Sequence, residues 1–228
     1  SATISAGLAP GYSLGQGLEE MDRIASEVLD ETFRTALEGE SRNFRESSSS
    51  LLFAFILAIV LIFLVMAAQF ESFKDPFVIM FTVPLALFGA LLFMWLFGIT
   101  MNIYSQIGII MLIGLVTKNG ILIVEFANQR QNAGINKLRA IIDASLQRLR
   151  PILMTSISTI LGLLPLMFAT GEGANGRIAM GTAVVGGLLI STLLTLFLIP
   201  AMYIYLSTDR EVKEMKRLKR KQRDMEQE

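Results

Sequence analysis

Five long apolar stretches limit what this chain can fold into more than any other feature of it. They cover residues 51–69, 77–97, 103–126, 151–170 and 178–206, and only the third contains charged side chains, Lys118 and Glu125. Hydrocarbon about 30 Å thick is crossed by roughly 20 residues of α-helix, which satisfies its own backbone hydrogen bonds away from water. Each stretch is therefore expected to be a transmembrane helix, with Pro84 as a kink in the second. A soluble domain would lack the polar surface to cover them, because 53% of the 228 residues are hydrophobic and only 18% are charged.

Residues 71–76, 98–102 and 171–177 are short connections, so the helices they join run antiparallel in one bundle. Orientation is read from basic residues near the span ends. Arg130, Lys137, Arg139, Arg148 and Arg150 face only Asp143 between the third and fourth spans, and the tail after Leu206 carries eight basic residues against six acidic. Both segments are expected on the cytoplasmic side. Residues 1–50 then fall on the outer side, in keeping with their four Arg against nine acidic residues. Within the loop between spans three and four, Ile135, Leu138, Ile141, Ile142, Ala144 and Leu146 recur at helical spacing. Two readings stand for it: an amphipathic helix lying in the membrane interface, or a connecting helix packed on the bundle.

The first 50 residues differ from the rest. Residues 1–9 alternate like a strand, Pro10-Gly11 marks a turn, residues 13–29 have helical caps and spacing, and residues 32–37 resemble a second strand. So small a set cannot enclose a core, so it is expected to complete a domain begun upstream. The run Ser47 to Ser50 reads as a linker and helix start. The chain opens on Ser1-Ala2 with no initiator Met and no charged segment leading into an apolar run, so no signal peptide is visible in it, and it is expected to be a piece of something longer. Three regions result: residues 1–50, a transmembrane bundle over 51–206, and a charged tail over 207–228.

Neither His nor Cys occurs, which removes disulfides, thiolate or imidazole metal sites and every Ser-His or Cys-His catalytic pair. With no pair of acids inside the spans either, an intramembrane enzyme is a poor reading. Lys118 is the informative residue. It lies about 22 Å along its helix at 1.5 Å per residue, too deep to reach water comfortably. A Lys near a helix centre costs about 2.5–3.5 kcal/mol on insertion scales, and such residues mark ion or proton relays. The plainer reading pairs it with Glu125, but seven residues of straight helix separate the two by about 10 Å. A carboxylate from another helix is required, and the five spans offer none at that depth. Either the Lys is neutral, or its partner lies outside this chain.

Arg148 and Thr155 are seven residues apart on one helical face, which Ser158, Thr159 and Gly162 extend inward. A polar stripe of this kind faces other helices or a water path, although Thr155 alone also fits a hydroxyl returned to its own helix and Arg148 alone an interface anchor. With Lys118 the three make a pathway. Ala179, Ala183 and Gly187 recur every four residues on the fifth span and permit close helix packing. The Gly-rich segment 171–176 is an outer turn, since it matches no phosphate-binding loop.

The run Thr117-Lys118-Asn119-Gly120-Ile121-Leu122-Ile123-Val124-Glu125-Phe126 and, later, Arg148-Leu149-Arg150-Pro151-Ile152-Leu153-Met154-Thr155-Ser156 closely resemble the paired signatures of resistance-nodulation-division efflux pumps, hydrophobe and amphiphile efflux class. Residues 67–73 and Val83-Pro84-Leu85-Ala86 fit the same family. The resemblance implies a mainly α, polytopic membrane bundle, of which this chain supplies helices eight to twelve of twelve, with a small N-terminal α+β remnant of a periplasmic porter domain. It also implies a proton-driven drug/proton antiporter of the bacterial inner membrane, powered by the proton gradient and needing no cofactor. Its implied partners are the remaining N-terminal portion of the pump, like chains in a homotrimer, a periplasmic adaptor protein, an outer-membrane channel and the lipid bilayer, with no nucleic acid. In such pumps two Asp on helix four, a Lys on helix ten and an Arg and Thr on helix eleven form the relay, and Lys118, Arg148 and Thr155 match the last three by motif position. The alternative is a truncated, non-transporting structural or regulatory fragment of such a pump. Metal-exporting relatives fit less well, since their intramembrane Met and acidic pattern is not evident.

Overall fold

The computed structural model describes residues 2–9, 12–30, 32–171 and 173–207, so the tail expected in the cytoplasm lies outside the described residues. Among the described residues seven helices follow one another: α1 (Leu14–Val28), α2 (Gly39–Phe70), α3 (Lys74–Met80), α4 (Thr82–Leu96), α5 (Ile103–Asn132), α6 (Lys137–Met167) and α7 (Ala174–Leu206). Five spans among the described residues are long and apolar enough to cross a membrane: Leu51–Phe70, Lys74–Leu96, Ile103–Asn132, Lys137–Met167 and Ala174–Leu206. The bundle end at which α2, α5 and α7 finish is called the tail end below, and the opposite one the head end.

The N-terminal segment corrects the expected α+β remnant. Its helix forms, closed by a capping box in which Ser13 and Gln16 satisfy each other's backbone N–H. The two strands do not: described residues 2–9 and 33–38 have no regular structure, and no strand occurs among the described residues. A strand needs a neighbour to pair its backbone, and none lies within reach here. The Ser47 to Ser50 run does not start a helix, because α2 is helical without a break from Gly39 to Phe70.

Prolines bear on two further points, the first of them the kink expected at Pro84. The second span divides at Phe81 into α3 and α4. Pro84 has no N–H for the carbonyl of Met80 and its ring crowds that carbonyl, so the helix yields one turn before the proline. At the break Thr82 donates its hydroxyl to the Ile79 carbonyl at 2.7 Å. Pro151, expected to begin the fourth span, lies instead inside α6, which is continuous from Lys137. Ala140, Ile141 and Ala144 before it and Ile152 and Ser156 after it are all buried on one face. Of the two readings of the loop segment, the helix packed on the bundle is the one found, with Ile141 and Ala144 in the core, and it runs without a break into the fourth span because unbroken packing outweighs one lost hydrogen bond.

At the centre stands α7, packed against α3, α4, α5 and α6. Its small residues permit this. Ala179 and Ala183 are fully buried, and Gly187 lies against the backbone of α4, where an added Cβ would sit 2.9 Å from the Ala86 carbonyl oxygen. Two apolar clusters stack along the bundle. Near the head end are Ala86, Ala90, Leu112, Val116, Ala183 and Leu188; near the tail end are Val78, Ile79, Ile123, Ile141, Ile199 and Tyr203. By contrast, α2 stands at the edge with almost all of its span uncovered, touching the core chiefly through Met66 and Phe70.

Candidate functional site

Two contacts fix how α5 and α6 lie together. Asn119 Nδ2 donates to Ser156 Oγ at 3.2 Å, and the Arg148 guanidinium lies over the Phe126 ring, 4.7 Å from its centre. Numbers rise on one helix as they fall on the other, so the pair is antiparallel and Lys118 shares a height with Thr155. Arg148, seven residues from Thr155, lies about 10 Å closer to the tail end. The structure therefore brings Lys118 and Thr155 level and leaves Arg148 two turns away, with no direct contact among the three.

Lys118 is exposed although Thr117, Asn119 and Gly120 beside it are buried. The reason is helical period: Ile107, Met111, Gly114, Lys118 and Gln129 form an exposed stripe that no helix among the described residues covers. Among the described residues Lys118 makes no hydrogen bond and no ion pair. Glu125 is not its partner, for it accepts a hydrogen bond from Gln129 Nε2 at 3.0 Å on its own helix.

Thr155 takes the plainer of its two readings as a donor. Its hydroxyl is returned to the Ile152 carbonyl at 3.1 Å, while its own carbonyl accepts from Thr159 Oγ1 at 2.8 Å. The Thr155 oxygen keeps lone pairs with which to accept from a cation. Arg148 is half-buried, and its Nε, shut off from solvent, has no hydrogen-bond partner among the described residues. Phe126 is shared, with Arg130 5.2 Å from the ring centre. Such contacts contribute about 0.5–2 kcal/mol and hold a guanidinium in place without neutralising it.

Sequence reasoning passed over Asn119, Ser156 and Thr192, which join α5, α6 and α7 at the height of Lys118. Thr192 Oγ1 donates to Ser156 Oγ at 3.1 Å, and Asn119 Nδ2 reaches Thr192 Oγ1 at 3.5 Å. The available signal was an amide inside an apolar span, a group that hydrocarbon tolerates only when it is bonded.

The model of the AcrB/AcrD/AcrF family matches residues 1–207. Among curated relatives, a Haemophilus influenzae protein named as an uncharacterized transporter is 44% identical over 216 residues, 92% of this chain and 21% of its own length. The toluene efflux pump membrane transporter TtgB of Pseudomonas putida is 40% identical over 200 residues, 88% of this chain and 19% of its own. Multidrug resistance protein MdtC of Proteus mirabilis is 37% identical over 224 residues, 97% of this chain and 22% of its own. The chain thus spans about a fifth of the length of the curated relatives it matches. The family match over residues 1–207 and these relatives show that the chain belongs to the AcrB/AcrD/AcrF family of resistance-nodulation-division efflux transporters.

Proposed function

We propose that this chain is the C-terminal half of the membrane bundle of a proton-driven efflux pump, and that Lys118, Arg148 and Thr155 belong to its proton relay. The observation that carries the reading is Lys118, a basic residue about midway along a membrane-length helix, on a face that the described residues leave uncovered. A charge there is retained where another helix supplies a partner or a water path. Carboxylates on membrane helices outside this chain would hold the ammonium. Protonating them weakens the ion pair, and the released ammonium turns to the nearest acceptor at its own height, the Thr155 hydroxyl oxygen. Arg148, nearer the tail end, contributes a fixed positive charge that favours proton departure on that side. The proton gradient supplies the energy, with no cofactor, and drug leaves against the inward proton.

In this reading the tail end faces the cytoplasm across the inner membrane, residues 1–50 complete a periplasmic porter domain, and residues 207–228 form a cytoplasmic tail. The working unit is the whole pump, a homotrimer with a periplasmic adaptor and an outer-membrane channel. The test is drug export by the complete pump carrying Lys118→Met, which keeps length and removes charge. Export should be abolished at parental membrane abundance. Thr155→Ala should reduce it less, about tenfold or below, since one neutral hydroxyl is lost rather than a buried charge unpaired. Near-normal export by Lys118→Met would place the proton path elsewhere.

A further inference from the structure

A second polar group lies at the tail end, apart from the Lys118 face. Asp75, in the first turn of α3, is only 3% exposed. Both of its carboxylate oxygens accept hydrogen bonds, Oδ2 from Asn128 Nδ2 on α5 at 3.0 Å and Oδ1 from Ser207 Oγ just beyond α7 at 2.8 Å. Asn128 Oδ1 accepts in turn from the Tyr203 hydroxyl, whose oxygen accepts from Gln131 Nε2 at 3.0 Å. Asn128, Gln131, Tyr203 and Ser207 are all buried. A carboxylate taken out of water is retained where fixed donors replace its hydration, as they do here.

The position of Asn128 on α5 gives this group a wider consequence. At 3.6 residues per turn, Asn119 and Asn128 lie about 180° apart around the helix, at the two edges of its buried half. Lys118 is about 100° from one and about 80° from the other, near the middle of the uncovered half. One amide is tied to α6 and α7 and the other to α3 and α7, so together they resist rotation of α5 in either sense.

We propose that Asp75 is a positioning residue for Lys118: by holding Asn128 it fixes the rotation of α5 about its own axis and keeps the ammonium aimed into the uncovered half. The role assigned to Lys118 rests on the relay reading above. Asp75 touches none of the three relay residues and acts only through the helix that bears one of them.

An exchange of the two side chains tests this in the complete pump. Asn128→Asp alone sets two carboxylates face to face and breaks the link. Adding Asp75→Asn restores a donor opposite an acceptor, with Tyr203 and Ser207 again donating to oxygens. Rotation is read at Ala127→Cys, fully buried in the middle of the inner half, against Gln129→Cys, exposed in every variant. This chain has no native cysteine to interfere. With Asn128→Asp, thiol labelling at 127 should rise about tenfold relative to 129, and maximal export should fall while the drug concentration for half-maximal export stays put. The double variant should return both to parental values. Parental labelling and export with Asn128→Asp would overturn the proposal. So would a double variant that fails to restore them, and that arm decides the matter if the single variant does not accumulate. Normal export by Lys118→Met would remove the relay reading while the labelling pair still reported whether Asp75 holds α5.

Discussion

A glycine and a lysine illustrate how differently single residues bear on this bundle. Lys118 was legible in the sequence because one cation among apolar neighbours contradicts its solvent, and the contradiction needs no alignment or contact to be seen. Its surroundings were not. Asn119 and Asp75 are ordinary polar residues until a neighbour is placed beside them, and Asp75 was taken as part of a connection rather than as a buried acceptor. Gly187 sits between these cases, its spacing from Ala183 announcing a close approach without naming the partner. In the fold an added Cβ would meet first the Leu112 side-chain tip and then, at 2.9 Å, the Ala86 carbonyl oxygen, backbone that cannot step aside as a side-chain tip can. Gly187→Ala is therefore expected to destabilise the bundle by about 1–3 kcal/mol through overpacking. Unfolding of the purified complete pump in denaturing detergent measures it, and an unchanged midpoint would show that α4 and α7 can separate freely.

At the level of elements, apolar runs told where helices lie and said less about where they stop. The reason is physical: an apolar run records how much helix hydrocarbon covers, while the ends are set by caps and by packing beyond it. Thus α5 continues to Asn132, six residues past the expected limit, because Ala127, Asn128 and Gln131 still have partners inside the fold. Its start was read correctly, and the chemistry is local. Asn102 Oδ1 accepts from the Ser105 N–H at 2.9 Å, and Ser105 Oγ accepts from the Asn102 N–H at 2.9 Å. Asn102→Ala is expected to cost about 1 kcal/mol and to fray the first turn of α5. Faster backbone hydrogen exchange at residues 103–106, with the rest of α5 unchanged, is the corresponding signature. Protection at the parental level would mean that packing alone holds that end.

Across the whole molecule, five membrane-length helices with antiparallel neighbours were legible because hydrophobicity and short connections are properties of the chain itself. Which helix occupies the centre was not, since α7 reads much like α4 until the partners of its small residues are known. The sidedness inferred from basic residues has a direct check in intact cells of a strain making the complete pump. A single Thr170→Cys should react with an impermeant thiol reagent added outside, and Asn132→Cys only after permeabilisation. Labelling in the reverse pattern would invert the assignment. The central place of α7 also bears on how such a bundle is made. A ribosome releases α4, α5 and α6 before the helix that joins them, so during synthesis these three must wait in the bilayer with their facing grooves unfilled. On that order α7 is expected to enter between neighbours already in place, and its run of small side chains suits it to do so where a bulkier helix would have to push them apart.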